Sequence, residues 1–169
     1  MGALLAYVGE AKDASQEILK GLAKVKFLGR DGVSLAMLHN GELFRARSAK
    51  GFEQAIREEN FNLKGSMGIG GIRFATHGRP TIENTPPFFD CDTNFAAITG
   101  GVIENFSQLK QLLSKKGHLF KSRNDGEVVP HLLEDLLHEK HVDAYRMTLN
   151  RVEGPFSLLI LDKSLPAIV

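Results

Sequence analysis

A glycine-rich apolar run in the first half of the chain constrains its fold most strongly. Residues 65–71 read Gly-Ser-Met-Gly-Ile-Gly-Gly. Ile69, Ile72 and Phe74 predict a β-strand through this run, and glycines inside a strand mark places where another backbone comes close. Gly78 and Pro80 follow and predict the end of the strand.

Polar residues gather at the end of this predicted strand. Arg73 lies within it, and Thr76 and His77 precede the break at Gly78. A guanidinium binds a carboxylate through two parallel hydrogen bonds, which is more specific than a point charge. The cluster predicts a pocket for a small carboxylate. The alternative is a solvent-exposed arginine on an edge strand, because short polar clusters at strand ends are common.

Composition limits the classes of protein that this chain fits. Its 169 residues are enough for one domain with a sizeable core, which we place at residues 1–169. A formal net charge of +1 gives no electrostatic case for a nucleic-acid partner or an anionic membrane surface. No apolar run approaches the roughly 20 residues of a membrane span, and no targeting signal is evident, so we expect a cytoplasmic protein.

Hydrophobic periodicity and turn residues predict the elements of the first half. A buried, central strand over residues 2–8 is followed by a helix that Asp13 caps and Gly29 ends. Asn40-Gly41 predicts a hairpin between strands at residues 33–38 and 43–46. A short amphipathic helix begins at Phe52.

The second half alternates strands with helices. After a long connection over residues 81–92, the pattern predicts strands at residues 94–99 and 155–161 and three helices between them, beginning near residues 106, 124 and 142. Strands in two batches around helices favour an α+β fold in which two mostly antiparallel sheets pack face to face with helices outside.

Four stretches, in this order, resemble the class II glutamine amidotransferase domain of the N-terminal-nucleophile (Ntn) hydrolases. The relatives that the resemblance suggests are the glutaminase domains of glucosamine-6-phosphate synthase and amidophosphoribosyltransferase. The stretches are Ala6-Tyr7-Val8-Gly9, Arg73-Phe74-Ala75-Thr76-His77-Gly78, Gly101-Val102-Ile103-Glu104-Asn105-Phe106 and Asn124-Asp125-Gly126-Glu127.

The resemblance implies an αββα sandwich and a glutamine site. In that family an N-terminal cysteine attacks the glutamine amide with the free α-amine as base. An Asn side chain and a Gly N–H stabilise the oxyanion. Carried over, Arg73 with Thr76 and His77 would hold the α-carboxylate of glutamine, and Asp125 would hold its ammonium group.

The catalytic half of that site departs from the family pattern. Gly2 stands at the nucleophile position, and Gly100 stands where the family has the oxyanion Asn, whereas Gly101 keeps its N–H. Glycine offers no atom for attack. The resemblance therefore implies a degenerate domain without glutaminase activity that keeps an amino-acid pocket for a binding or regulatory role. The alternatives are an interaction module with a vestigial pocket and an active enzyme with a non-standard nucleophile.

The remaining reactive residues show no catalytic motif. Cys91 is the single cysteine, which excludes an internal disulfide, and no surrounding motif supports a triad. His131, His138 and His141 fall on or beside predicted helices without a Cys or Glu partner at metal-ligand spacing, so solvated helix faces and no metal are expected.

The resemblance also sets expectations for cofactors and partners. The family chemistry needs no cofactor in this domain. Family members usually continue beyond the position of Val169, so the domain is expected to be truncated or completed by another chain. Unpaired strand edges invite association, and we expect a homo-oligomer or a partner synthase subunit.

Overall fold

The computed structural model describes residues 2–9, 14–137, 141–165 and 167–169. The predicted cap at Asp13 and the predicted position of His138 lie outside these residues, and so does the side chain of His141. The elements in chain order are strands β1 (Ala3–Val8), β2 (Gly32–His39), β3 (Glu42–Ser48), β4 (Met67–Arg73), β5 (Phe88–Phe89), β6 (Phe95–Gly101), β7 (Phe156–Asp162) and β8 (Ala167–Ile168), and helices α1 (Ala14–Lys24), α2 (Phe52–Glu58), α3 (Phe106–Lys115), α4 (Val128–Asp135) and α5 (His141–Arg151).

The strands form two four-stranded antiparallel sheets, as predicted. The first has the order β1-β4-β2-β3 and the second β5-β6-β7-β8. The hairpin turn between β2 and β3 has positive φ at Asn40 and Gly41, as the Asn-Gly pair predicts. No helix among the described residues is long and apolar enough to cross a bilayer.

Alternating side chains divide the core into three layers. On β2, Leu35 and Met37 pack towards α1 and α2, whereas Ala36 packs towards the second sheet. On β6, Phe95 and Ala97 pack against the helices of the second half, and Ile98 fills the space between the sheets. The order of layers is helices, sheet, sheet, helices, so the predicted αββα sandwich is confirmed.

The glycines of β4 permit close packing on both of its faces. A Cβ at Gly70 would lie 2.5 Å from Cγ2 of Ile18 on α1, and a Cβ at Gly71 would lie 3.1 Å from Cγ2 of Ile98 in the other sheet. The glycines therefore mark sites of close approach, as predicted. The groups that come close include side chains of a helix and of the facing sheet as well as backbone atoms.

Several local predictions differ from the structure. β1 pairs with β4 and forms an edge of its sheet, whereas a central position was expected. α1 ends at Lys24, and Gly29 instead sits against the backbone of Arg73, where a Cβ would lie 2.5 Å from the carbonyl oxygen. β4 ends at Arg73, and Phe74 is about half exposed. The short strands β5 and β8 were not predicted because two residues carry no periodicity.

Gly70→Ala should destabilise the fold by about 1–3 kcal/mol, because the added methyl group overpacks the contact between β4 and α1. Chemical denaturation followed by circular dichroism measures this change. Gly51→Ala is the matched control, since a Cβ there meets only the carbonyl oxygen of Arg30, at 3.6 Å. Equal stability of the two variants would contradict the packing argument.

Candidate functional site

A narrow cavity lies where the ends of the two sheets meet. Its volume is about 30 Å³, which is room for about two water molecules. The first sheet and the loop after β4 contribute Gly2, Arg73 and Thr76 to its wall. Two further segments complete the wall. The end of β6 contributes Thr99, Gly100 and Gly101, and the turn before α4 contributes Asn124 and Asp125. The structure thus brings together all of the predicted site residues except His77 in one wall, and Nδ1 of His77 lies 3.7 Å from Oδ1 of Asp125.

Arg73 is buried at the end of β4, with 7% of its surface exposed. Its guanidinium donates hydrogen bonds to the carbonyl oxygens of His77 at 2.8 Å, Gly78 at 3.0 Å and Arg79 at 3.3 Å. The alternative of a solvated arginine on an edge strand is wrong, because β4 lies between β1 and β2. Burial lowers the pKa of this guanidinium, and nearby carboxylates, including that of Asp125, oppose the shift.

Asp125 is a buried carboxylate on the opposite wall, with 3% of its surface exposed. Its Oδ2 accepts a hydrogen bond from the backbone N–H of Ile103 at 2.7 Å, and its Oδ1 lies 3.7 Å from Nδ1 of His77. The side chain of Asn124 accepts the N–H of Gly126 at 2.8 Å and so starts the turn that leads into α4. Within the described chain, Asp125 forms no ion pair with Arg73.

His77 stands beside the cavity. Its ring packs edge-on against Phe106, with the ring centroids 5.0 Å apart. Its Nδ1 is buried, and no hydrogen-bond partner for it is found among the described residues. The nearest charged group to this nitrogen is the carboxylate of Asp125, whose Oδ1 lies 3.7 Å away.

The two positions that differ from the family pattern, Gly2 and Gly100, are glycines with little space around them. A Cβ at Gly2 would collide with the carbonyl oxygen of Ile72, so this backbone has no room for a side chain there. At Gly100 a Cβ would lie 2.7 Å from the hydroxyl of Ser157. Gly101 has a φ of +87°, a conformation that favours glycine. The cavity wall carries hydroxyl groups at Thr76 and Thr99 and includes no cysteine among its described lining residues.

Asn84 joins the two sides of the site, and sequence reasoning did not single it out. Its Nδ2 donates to the carbonyl of Arg79 at 3.0 Å, and its Oδ1 accepts the N–H of Arg123 at 2.7 Å. Its own carbonyl accepts the side chain of Asn124 at 3.3 Å. An Asn in a long connection gives no periodic signal, so only the fold shows this role.

Cys91 lies outside the cavity, in a cluster with His118, His131 and Glu134. The expectation of a solvated helix face is wrong for His131, which is 1% exposed. Partial burial raises the pKa of the Cys91 thiol, which disfavours a thiolate nucleophile. Burial also raises the pKa of Glu134, but hydrogen bonds from Cys91 and the two histidines outweigh it and hold that pKa below its usual value.

Comparison with known proteins identifies the family. The sequence model of the protein family described as glutamine amidotransferase domain matches residues 76–169, which is more than half of the chain. The chain belongs to the class II glutamine amidotransferase domain family, and its two sheets with flanking helices are the Ntn-hydrolase-like fold.

Relatives and solved structures agree with this assignment. Glutamine–fructose-6-phosphate aminotransferase (isomerizing) of Pyrococcus horikoshii is 37% identical over 95% of this chain. The enzyme of the same name from Methanococcus maripaludis is 33% identical over 100% of this chain. The chain spans 27% and 29% of these relatives. Glutamine phosphoribosylpyrophosphate amidotransferase from B. subtilis superposes on 96% of the chain, with a TM-score of 0.83 at 24% identity, and the chain covers 35% of that protein.

Asn84→Ala should cost about 1 kcal/mol of stability, because it removes the side-chain hydrogen bonds to the carbonyl of Arg79 and the N–H of Arg123. Urea denaturation at neutral pH measures the loss. Asn150→Ala, on the exposed face of α5, is the matched control and should change stability by less than about 0.5 kcal/mol. A neutral Asn84→Ala would mean that this bridge does not hold the site together.

Proposed function

We propose that this domain recognises an amino acid of the glutamine class without hydrolysing it. The observation that carries the proposal is that Arg73 and Asp125 line one cavity, both buried and not ion-paired with each other. A free amino acid carries a carboxylate and an ammonium group on one carbon. A buried cation facing a buried anion is complementary to that pair of charges.

Each charged wall has hydrogen-bonding capacity left for a ligand. The guanidinium of Arg73 donates to neutral carbonyl oxygens of residues 77–79, and a carboxylate is a stronger acceptor than these. Asp125 uses Oδ2 for the N–H of Ile103, which leaves Oδ1 for an ammonium group beside His77.

Entry of a ligand requires the cavity to widen, since about 30 Å³ does not hold an amino acid. The segment that would move is the loop after β4, where Phe74 and Thr76 are exposed and regular pairing has ended. In the proposed bound state the ligand carboxylate replaces loop carbonyls as the partner of Arg73. Two charge-assisted contacts of about 1.5–3 kcal/mol each sum to about 3–6 kcal/mol, which corresponds to a Kd between the millimolar range and tens of micromolar.

Glutamine or glutamate should bind saturably, and Arg73→Lys and Asp125→Asn should each weaken binding by about 10-fold or more. Isothermal titration calorimetry measures the affinities, and thermal denaturation verifies that both variants fold. Arg57→Ala on the exposed surface of α2 is the control and should bind like the parent protein. Absence of heat at about 10 mM ligand would overturn the proposal and favour an interaction module with a vestigial pocket.

The same site supports the loss of glutaminase chemistry. The backbone at Gly2 leaves no room for a nucleophilic side chain, and Gly100 has no side-chain amide to stabilise an oxyanion. Removing one oxyanion donor costs about 2.7–4 kcal/mol in other enzymes, and a missing nucleophile is a greater loss.

Ammonia release from glutamine should therefore stay at the background rate of buffer. A coupled glutamate dehydrogenase assay measures it, with an active glutaminase as positive control. Cys91→Ser should leave this background unchanged. Turnover in the parent protein that Cys91→Ser abolishes would reveal a non-standard nucleophile and contradict this part of the proposal.

The lengths of the relatives bear on partners. Because the chain spans less than a third of the aminotransferases that it resembles, we propose that the domain acts beside a synthase partner, in the same chain or in another subunit. A bound amino acid would then report to that partner, and ammonia would not be delivered to it.

A further inference from the structure

We propose a zinc site at the outer end of α4, formed by Cys91, His118, His131 and Glu134. These four side chains come from three separate segments: the connection between β5 and β6, the chain after α3, and α4 itself. Their ligand atoms all lie within 4.8 Å of one another. One thiol, two imidazoles and one carboxylate make a ligand set that zinc binds in proteins.

The distances match a tetrahedral centre closely. Sγ of Cys91 lies 3.9 Å from Nδ1 of His118 and 3.6 Å from Nδ1 of His131. Oε2 of Glu134 lies 2.8 and 3.1 Å from the same two nitrogens. Zinc bonds of about 2.3 Å to sulfur and about 2.0–2.1 Å to nitrogen and oxygen separate tetrahedral ligand atoms by about 3.3–3.6 Å. Each of these four separations needs to change by about 0.6 Å or less, and the other two, between the two imidazole nitrogens and between the thiol and the carboxylate, lie within 4.8 Å.

Surrounding groups already orient the ligand atoms. The N–H of Leu119 points at Sγ of Cys91 at 3.5 Å, and the N–H of Cys91 donates to Oε2 of Glu134 at 3.1 Å. Backbone donors of this kind stabilise anionic ligands around a bound metal. Nδ1 of His131 is fixed in place because the ring is fully buried and packs against Phe120, with centroids 4.4 Å apart.

His118 favours a cation at the centre of this cluster. Its Nε2 lies 3.8 Å from Oδ1 of Asp135. If a neutral His118 donated its single proton from Nδ1 to Glu134, the lone pair on Nε2 would face the Asp135 carboxylate. A zinc ion on Nδ1 puts the proton on Nε2, which then faces the carboxylate as metal-bound histidines commonly do. An imidazolium ring is the metal-free alternative.

Four protein ligands close the coordination sphere, so this zinc would be structural. It would fasten the β5–β6 connection and the chain after α3 to α4. Asp125 and Glu127 lie in the turn immediately before α4, whereas the ligands His131 and Glu134 lie within the helix itself. The zinc site is independent of whether the cavity binds an amino acid.

The test uses the full chain, stripped with a chelator and titrated with Zn²⁺ alone. We expect one zinc per chain by elemental analysis, a Kd of about 1 μM or tighter by competition with a chromophoric chelator, and a Tm rise of about 5–10 °C at saturating zinc. Co²⁺ in place of Zn²⁺ should give the visible absorption of a tetrahedral complex and a thiolate charge-transfer band.

Variants separate this site from adventitious binding. Cys91→Ser and His118→Gln should each weaken zinc binding by about 100-fold or more, and Cys91→Ser should remove the charge-transfer band. His39→Gln, at the end of β2, is the control and should bind zinc like the parent protein. No saturable binding at about 10 μM zinc, or binding that both ligand variants leave unchanged, would overturn the proposal and leave a hydrogen-bonded cluster without a metal.

Discussion

Close packing along β4 is the constraint on which the rest of the structure depends. This strand lies between β1 and β2, under α1 and over β6, so it has neighbours on four sides. A side chain at Gly70 would overlap α1, and one at Gly71 would press against the facing sheet, and native packing density leaves little slack for either. Because β4 is packed tightly on all sides, it holds Arg73, the residue at its end, in a fixed position beside the cavity.

The two charges of the cavity are held apart by backbone groups. Arg73 and Asp125 do not pair with each other. Arg73 donates hydrogen bonds to backbone carbonyl oxygens, and Asp125 accepts one from a backbone N–H. Buried charges need such partners, since desolvation without them is costly. The arrangement keeps an electric field across the cavity, which a self-neutralising pair would abolish.

Local patterns in the sequence predicted most of the elements, and long-range contacts account for what it missed. Asn40-Gly41 determines its turn by itself, and alternating apolar residues identify β2 and β6. The edge position of β1 and the bridge through Asn84 depend on strand order, which no local pattern encodes. The family motifs predicted which residues meet at the cavity. They carried no information on Cys91 and His118. These residues contact Glu134 of α4, which lies 43 and 16 residues further along the chain, respectively.

Each sheet is built from one continuous half of the chain. Strands β1 to β4 end at Arg73, and strands β5 to β8 begin at Phe88. The cavity belongs to neither half, because Gly2 and Arg73 come from the first and Gly100 and Asp125 from the second. A polypeptide cut in the connection between the halves would keep both sheets whole on separate fragments, and only fragment complementation would rebuild the cleft.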